Sequence, residues 1–272
     1  MSPFENVMSE RVLFERRSRC NRMYSLLQVL QTLLVYPYFM IRNPYIFDGT
    51  ALGHHVGCKK DVFYRFMNDA GINWHKLSYH INLQLWKKMT VRSDPQDMTT
   101  CPMIDDTDFP KTGRRMEGIG RIHSHFEHKA ILGYKALFLG IMDGISLMLL
   151  DFALLGEKGS RGNFGMSAGE LAKRFAKERD EDCPLQERLS EYTKKKTNLT
   201  IEMVRCAIQH GVRFRYLLAD SWFTCASVIN FIVSKHIDGD CLGMIMIGEE
   251  SRTRQRFERK DANLLMCLIY IV

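Results

Sequence analysis

The stretch YLLADSWF, residues 216–223, runs an apolar strand into a carboxylate. Leu217, Leu218 and Ala219 suit a strand buried in a sheet, and Asp220 ends it. Desolvating a carboxylate there is costly unless a cation, a proton or hydrogen-bond donors meet it. A second apolar run closes the same way: CPMIDD, residues 101–106, ends on Asp105-Asp106 and is followed by Thr107. Central, adjacent strands would bring these acids together at one end of a sheet. Paired carboxylates repel unless a positive charge lies between them. Oxygen donors favour a hard cation, Mg²⁺ or Mn²⁺. Two such ions can activate an attacking hydroxyl and stabilise the leaving oxygen of a phosphodiester. Local sequence leaves a second reading open, in which Asp220 N-caps a helix over residues 221–236.

Working outward, KAILGYKALFLGIMD (129–143) and ISLMLLDFALL (145–155) read as strands joined by a tight turn at Asp143-Gly144. Together with 101–106 they make three consecutive strands. Residues 156–199 form a polar insertion with helical pieces such as GELAKRFAKERD. The spacing of Ile201, Val204 and Ile208 predicts an amphipathic helix over 200–211, with Gly211 near its end. A helix over 224–236 and a strand over 241–248 follow the opening stretch. The order βββ, insertion, αβαβ implies an α/β domain with a mixed sheet. Trp222 is read as an aromatic anchor of the helix on the sheet, or as a platform for an unpaired base.

Residues 20–92 read as helical. Leu26, Leu27, Leu30, Leu33 and Leu34 share a helix face, and short helices are expected around 50–56 and 59–70. These two short helices are helix-turn-helix-like, with Val62, Phe63 and Phe66 inward and Lys59, Lys60 and Arg65 outward. Plain helical packing explains the same pattern, because this motif has weak sequence specificity. Asp94, Pro95, Gln96 and Asp97 read as a linker, dividing a helical region 1–95 from a domain 96–248 and an atypical tail 249–272.

The chain has 272 residues, a formal net charge of +7 and 46% hydrophobic residues. That balance suits a globular protein with a polyanionic partner. Eight cysteines stand singly without a CxxC pair, which argues against a zinc ribbon and suits reduced thiols in a cytoplasmic protein. The N-terminal residues lack an apolar signal core, and Gln28, Gln31 and Pro37 interrupt the most apolar run, so no membrane span is expected. His123, His125 and His128 make an HxHxxH cluster for which no fourth ligand is close by. Polar or DNA-contacting histidines are the competing reading. Lys111, Arg114, Arg115 and Arg121 follow the first acidic strand end, as phosphate contacts or as a solvated basic loop.

Taken together, IDDTDFPKTGRRMEGIGRIHSH, LGYKALFLGIMDG, EKG and RYLLADSWF resemble the DDE transposases of bacterial insertion sequences, from about Cys101 to Gly248. The resemblance implies a ribonuclease-H-like mixed sheet flanked by helices, preceded by an all-α helix-turn-helix-like region. It implies an Asp-Asp-Glu triad holding two divalent ions, Mg²⁺ or Mn²⁺. The family pattern places its first Asp directly before Thr or Ser, which favours Asp106 over Asp105, and the second Asp is Asp220. Adjacent strand residues face opposite ways, so one of Asp105 and Asp106 points into the site. The family's Glu lies on a later helix, after a Tyr and an Arg and before a Lys. The tail EESRTRQRFERKDANLLMCLIYIV lacks that arrangement, although Glu249, Glu250 and Glu258 are present. The expectation is a C-terminally truncated, catalytically impaired copy. The implied activity is metal-dependent DNA cleavage and strand transfer on double-stranded DNA, at element ends and target, by a nucleoid-associated protein that pairs as a homodimer in the DNA complex. The rivals are a non-catalytic DNA-binding remnant and a ribonuclease-H-like nuclease without strand transfer.

Overall fold

The computed structural model describes residues 23–89, 100–113, 116–124, 126–143, 145–157, 178–214, 216–223, 225–234 and 240–243. The expected linker 94–97, Arg114, Arg115, His125 and the tail 249–272 lie outside them, as does most of the helical piece at 169–180. The chain divides into two compact units. The first runs through Leu77 and includes Asp182–Leu185; the second comprises Ser78–Glu181 and the residues from Gln186 onward.

The first unit is helical. Ser25 opens α1 (Leu26–Val35) with a capping box: its hydroxyl accepts from the Gln28 N–H, and the Gln28 side chain accepts from the Ser25 N–H. The inward face of α1 differs from the expected leucine stripe. Leu26, Val29, Leu30 and Thr32 are buried, whereas Leu34 is exposed. Thr32 tolerates burial because its hydroxyl donates to the Gln28 carbonyl at 2.8 Å. A 3-10 turn (Tyr36–Phe39) and α2 (Pro44–Phe47) follow. Next come α3 (Ala51–Val56) and α4 (Lys60–Met67), the helix pair expected from the sequence. Gly57 ends α3 at φ 74, a conformation that favours glycine. The N-cap of α4, Lys59, makes no side-chain cap, and Asp48 supplies one by accepting from the Lys60 N–H at 2.7 Å. Tyr36, Phe47 and Phe63 form the aromatic centre of this unit, with ring centroids 4.9 to 5.6 Å apart. Phe63 and Phe66 are buried and Val62 is half-buried, while Lys59 and Arg65 are exposed.

Helix α5 (Trp74–Met89) leads into the second unit, which is a mixed α/β fold. Its strands are β1 (Cys101–Pro110), β2 (Gly120–Ser124), β3 (Lys129–Met142) and β4 (Leu147–Leu155). Helices α6 (Pro184–Glu191) and α7 (Lys196–Gln209) come next, then β5 (Tyr216–Ala219), α8 (Ala226–Ser234) and β6 (Asp240–Gly243). The sheet order is β2-β3-β1-β5-β6, with β4 also paired to β3. Strand β3 is antiparallel to β1, β2 and β4, whereas β1, β5 and β6 run parallel. The turn between β3 and β4 falls where Asp143-Gly144 predicts it. The Ser146 and Ile145 N–H groups both donate to Asp143 Oδ1 and hold that carboxyl below its usual range.

Expectations for the elements of this unit also change. A further strand, β2, stands between the first two expected strands; it pairs with Lys129–Gly133 of β3. The amphipathic helix starts at Lys196, a turn earlier than 200, because Leu199 joins Met203 and Ala207 on the buried face. The core gathers Ile104 of β1, Leu137, Leu139 and Ile141 of β3, Leu217 of β5, the inner face of α7, and Val228 and Ile232 of α8. Tyr79 of α5 is fully buried there and donates to the Met203 carbonyl at 3.2 Å. Burial, and next the charge of Asp151, raises its phenol well above the usual range.

Gly133 is where the β1 and β2 pairings of β3 meet, opposite both Pro110 and Gly120. A Cβ there would run into the Phe109 carbonyl, a backbone group that no side-chain rotation relieves. Gly133→Ala should therefore cost about 2–3 kcal/mol of stability, measured by urea unfolding; an unchanged midpoint would refute this packing.

Candidate active site

The site begins with strand register. Met103 pairs with Leu218 and Ile104 with Ala219, so β1 and β5 lie side by side and point the same way. One residue further, Asp220 draws level with Asp105. Strand β1 continues to Pro110 along β3, while β5 stops at Ala219. The two acid-terminated runs are thus adjacent, with their acids at the same end.

Side-chain alternation then separates the acids of β1. Asp105 is exposed, and its Oδ1 accepts from the Asp106 N–H at 2.8 Å. Asp106 shares the face of Ile104 and stands opposite Leu137, both buried. Asp108 lies on that face too, opposite Lys135. A carboxylate pointing to a helix-covered sheet face needs a partner, and each has a lysine. Lys196 Nζ, from the first turn of α7, sits 2.6 Å from Asp106 Oδ2, with Asp106 17% and Lys196 39% exposed. Lys135 Nζ sits 2.5 Å from Asp108 Oδ1 and is 6% exposed.

Asp220 is half-buried, and its carbonyl accepts from the Phe223 N–H at 2.9 Å. That bond closes a 3-10 turn, Ser221–Phe223, so Asp220 does not cap one continuous helix over 221–236; α8 starts only at Ala226. The turn also corrects the reading of Trp222 as an anchor. Trp222 is 73% exposed, and Phe223, 1% exposed, fills the core in its place.

The expected cations are placed as follows. Lys111 lies at the end of β1, its N–H donating to the Leu132 carbonyl and its ammonium 3.6 Å from the centre of the Phe109 ring. Arg121 is exposed on β2 opposite Leu132. Of the histidines, His128 is exposed in the β2–β3 turn at φ 50. His123 is half-buried on β2, and its backbone N–H donates to the Glu157 carboxylate. Among the described residues no group of three His, Cys, Asp or Glu side chains is arranged to hold a metal. Nor is any helix among them long and apolar enough to cross a membrane.

Lys196, Lys135 and Asp108 escaped the sequence reading. Lys196 was legible in principle, since Leu199, Met203 and Ala207 continue the i, i+4 stripe back by a turn. Lys135 sits in the middle of an apolar strand, and only its register opposite Asp108 explains it.

Comparison with known proteins adds a family. Residues 49–232 match the sequence model of a family described as DDE superfamily endonuclease. No curated protein matches the chain. A cryo-EM structure of the piggyBac transposase synaptic complex with hairpin DNA aligns at 13% identity and a TM-score of 0.37, covering 92% of this chain and 52% of that one. The chain therefore spans about half the length of that structure.

Asp108→Asn should strip the buried Lys135 ammonium of its carboxylate and cost about 2–3 kcal/mol, read by urea unfolding. Replacing both, Asp108→Leu with Lys135→Met, should cost less than the single change. A double variant less stable than Asp108→Asn would show that the pair's charge is not what matters.

Proposed function

The chain belongs to the DDE superfamily endonucleases, and on that premise we propose that it is a transposase-type enzyme that cuts DNA and transfers the freed strand. The observation that carries the proposal is the pairing of β1 with β5, which sets Asp106 and Asp220 at the same end of adjacent parallel strands. In this reading Asp106 and Asp220 hold Mg²⁺ or Mn²⁺. The donor set fits a hard divalent cation: it offers carboxylate oxygens, and Asp106 already carries a positive partner in the Lys196 ammonium. Bound there, a divalent ion supplies an activated hydroxyl and charge neutralisation at a phosphodiester. The protein's own part is to position the carboxylates on a rigid sheet. Lys111 and Arg121 steady the DNA backbone through its phosphates, and Trp222 offers an exposed ring to an unpaired base. The ribonuclease-H-like description is supported by a long strand, β3, antiparallel to β1, with β5 and β6 parallel on the other side.

The helical unit serves duplex binding. Lys59 and Arg65 are exposed on one short helix and its cap, and Lys60 lies over the Tyr45 ring at 4.7 Å. In the full reading the DNA is double-stranded, at element ends and target, and two copies act together on a nucleoid-associated complex.

A second reading has its own support. Among the described residues no third ligand joins Asp106 and Asp220, and Glu249, Glu250 and Glu258 lie outside them. With two carboxylates the chain would act as a DNA-binding remnant, or cut poorly.

Cleavage of DNA carrying the element's ends, with Mg²⁺, tests the first reading. Asp106→Asn and Asp220→Asn should each lower it by about a hundredfold or more while leaving the circular dichroism spectrum unchanged, whereas Asp105→Asn should act far more weakly. Binding without Mg²⁺-dependent cutting by the unaltered chain would favour the remnant.

Phosphate contacts release counterions, so binding should weaken steeply with salt. Lys59→Ala with Lys60→Ala should flatten the slope of log affinity against log salt by about one to two. An unchanged slope in fluorescence anisotropy would remove this helix from the DNA interface.

A further inference from the structure

Lys196 stands where a helix does not favour a cation. It is the first residue of α7, where the backbone N–H groups carry partial positive charge. The preceding N-cap, Lys195, does not cap the helix with its side chain. Lys194, in the same run, turns away to Glu202 at 2.8 Å. What holds Lys196 is the Asp106 carboxylate, 2.6 Å from its ammonium and mostly shielded from water.

We propose that Lys196 is a resident counter-ion of Asp106, occupying the place on its carboxylate that a divalent cation takes, so that the ion enters as the ammonium leaves. The inference rests on the reading of Asp106 as a metal ligand. The competition between the two cations is electrostatic. A lone carboxylate facing the covered side of a sheet would destabilise the metal-free protein, because its desolvation is uncompensated. Lys196 supplies that compensation. The same charge opposes the ion, since two cations sharing one carboxylate in a poorly screened place repel. The lysine is suited to yielding: its four-carbon stem is flexible and its side chain is 39% exposed, leaving room to swing into solvent. Lys135 cannot yield in this way. It is 6% exposed, so its pairing with Asp108 is a fixed part of the core.

The test is calorimetric titration of the full chain with Mn²⁺, alongside thermal unfolding with and without the ion. Lys196→Met should bind Mn²⁺ roughly threefold to tenfold tighter than the unaltered chain, since an ion pair of this exposure opposes binding by that factor. Its melting temperature should fall without Mn²⁺ and rise more than that of the unaltered chain when Mn²⁺ is added. Lys196→Arg should keep the original affinity within about twofold, because the charge is retained. Lys194→Met controls for the loss of one positive charge nearby. Equal or weaker Mn²⁺ binding by Lys196→Met would overturn the proposal, and so would equal tightening by Lys194→Met. Asp106→Asn and Asp220→Asn separate the two layers. If neither weakens Mn²⁺ binding, the metal-site reading itself fails. If both do while Lys196→Met binds no tighter, only the counter-ion role fails.

Discussion

Strand β1 is paired with β3 along its whole length, and that constraint organises the site. A central strand cannot turn aside to release a polar side chain, so every second residue of β1 faces the side that carries the core cluster. Past Ile104 the residues on that side are Asp106 and Asp108. Half-buried carboxylates need positive partners, and the neighbouring elements supply them: β3 with Lys135, through its register, and α7 with Lys196, through its first turn. Shifting either element by one residue would leave a charge unmatched.

The parallel pairing of β1 with β5 is the second necessity. Parallel neighbours require a crossover, and here it passes through β2, β3, β4, α6 and α7 before β5 begins. The reward is geometric. Adjacent parallel strands end on the same side, and crevices beyond such carboxyl ends are where open α/β sheets bind ligands. Asp220 follows β5 directly, and the 3-10 turn it closes buries Phe223 while leaving Trp222 outside. One short turn thus fixes an acid, a core anchor and an exposed ring.

The helical unit solves a smaller version of the same problem. Its helices are too short to be stable alone, and they are held by the Tyr36, Phe47 and Phe63 rings. Asp48 caps α4 from twelve residues away in sequence, which leaves Lys59 free of a capping role. The exposed cations of that helix are therefore a feature of its surface and not a cost to its fold.

Acid-terminated apolar runs are local facts, and for that reason Asp106 and Asp220 stood out in the sequence, as did the hairpin at Asp143 and the inward Phe63 and Phe66. Alternation alone also separated Asp105 from Asp106. Tertiary structure decided the rest, because the deciding partners are remote in the chain. Lys196 lies ninety residues beyond Asp106, and Lys135 reads as an anomaly in an apolar strand until β3 is laid against β1. Strand β2 is short and polar, and it takes its form from pairing with Lys129–Gly133 of β3, which no local pattern records. Trp222 and Phe223 are equally apolar in sequence; the turn that Asp220 closes chose which one is buried. Periodicity reports what one element does with its own faces, whereas charge matching and register depend on which elements meet.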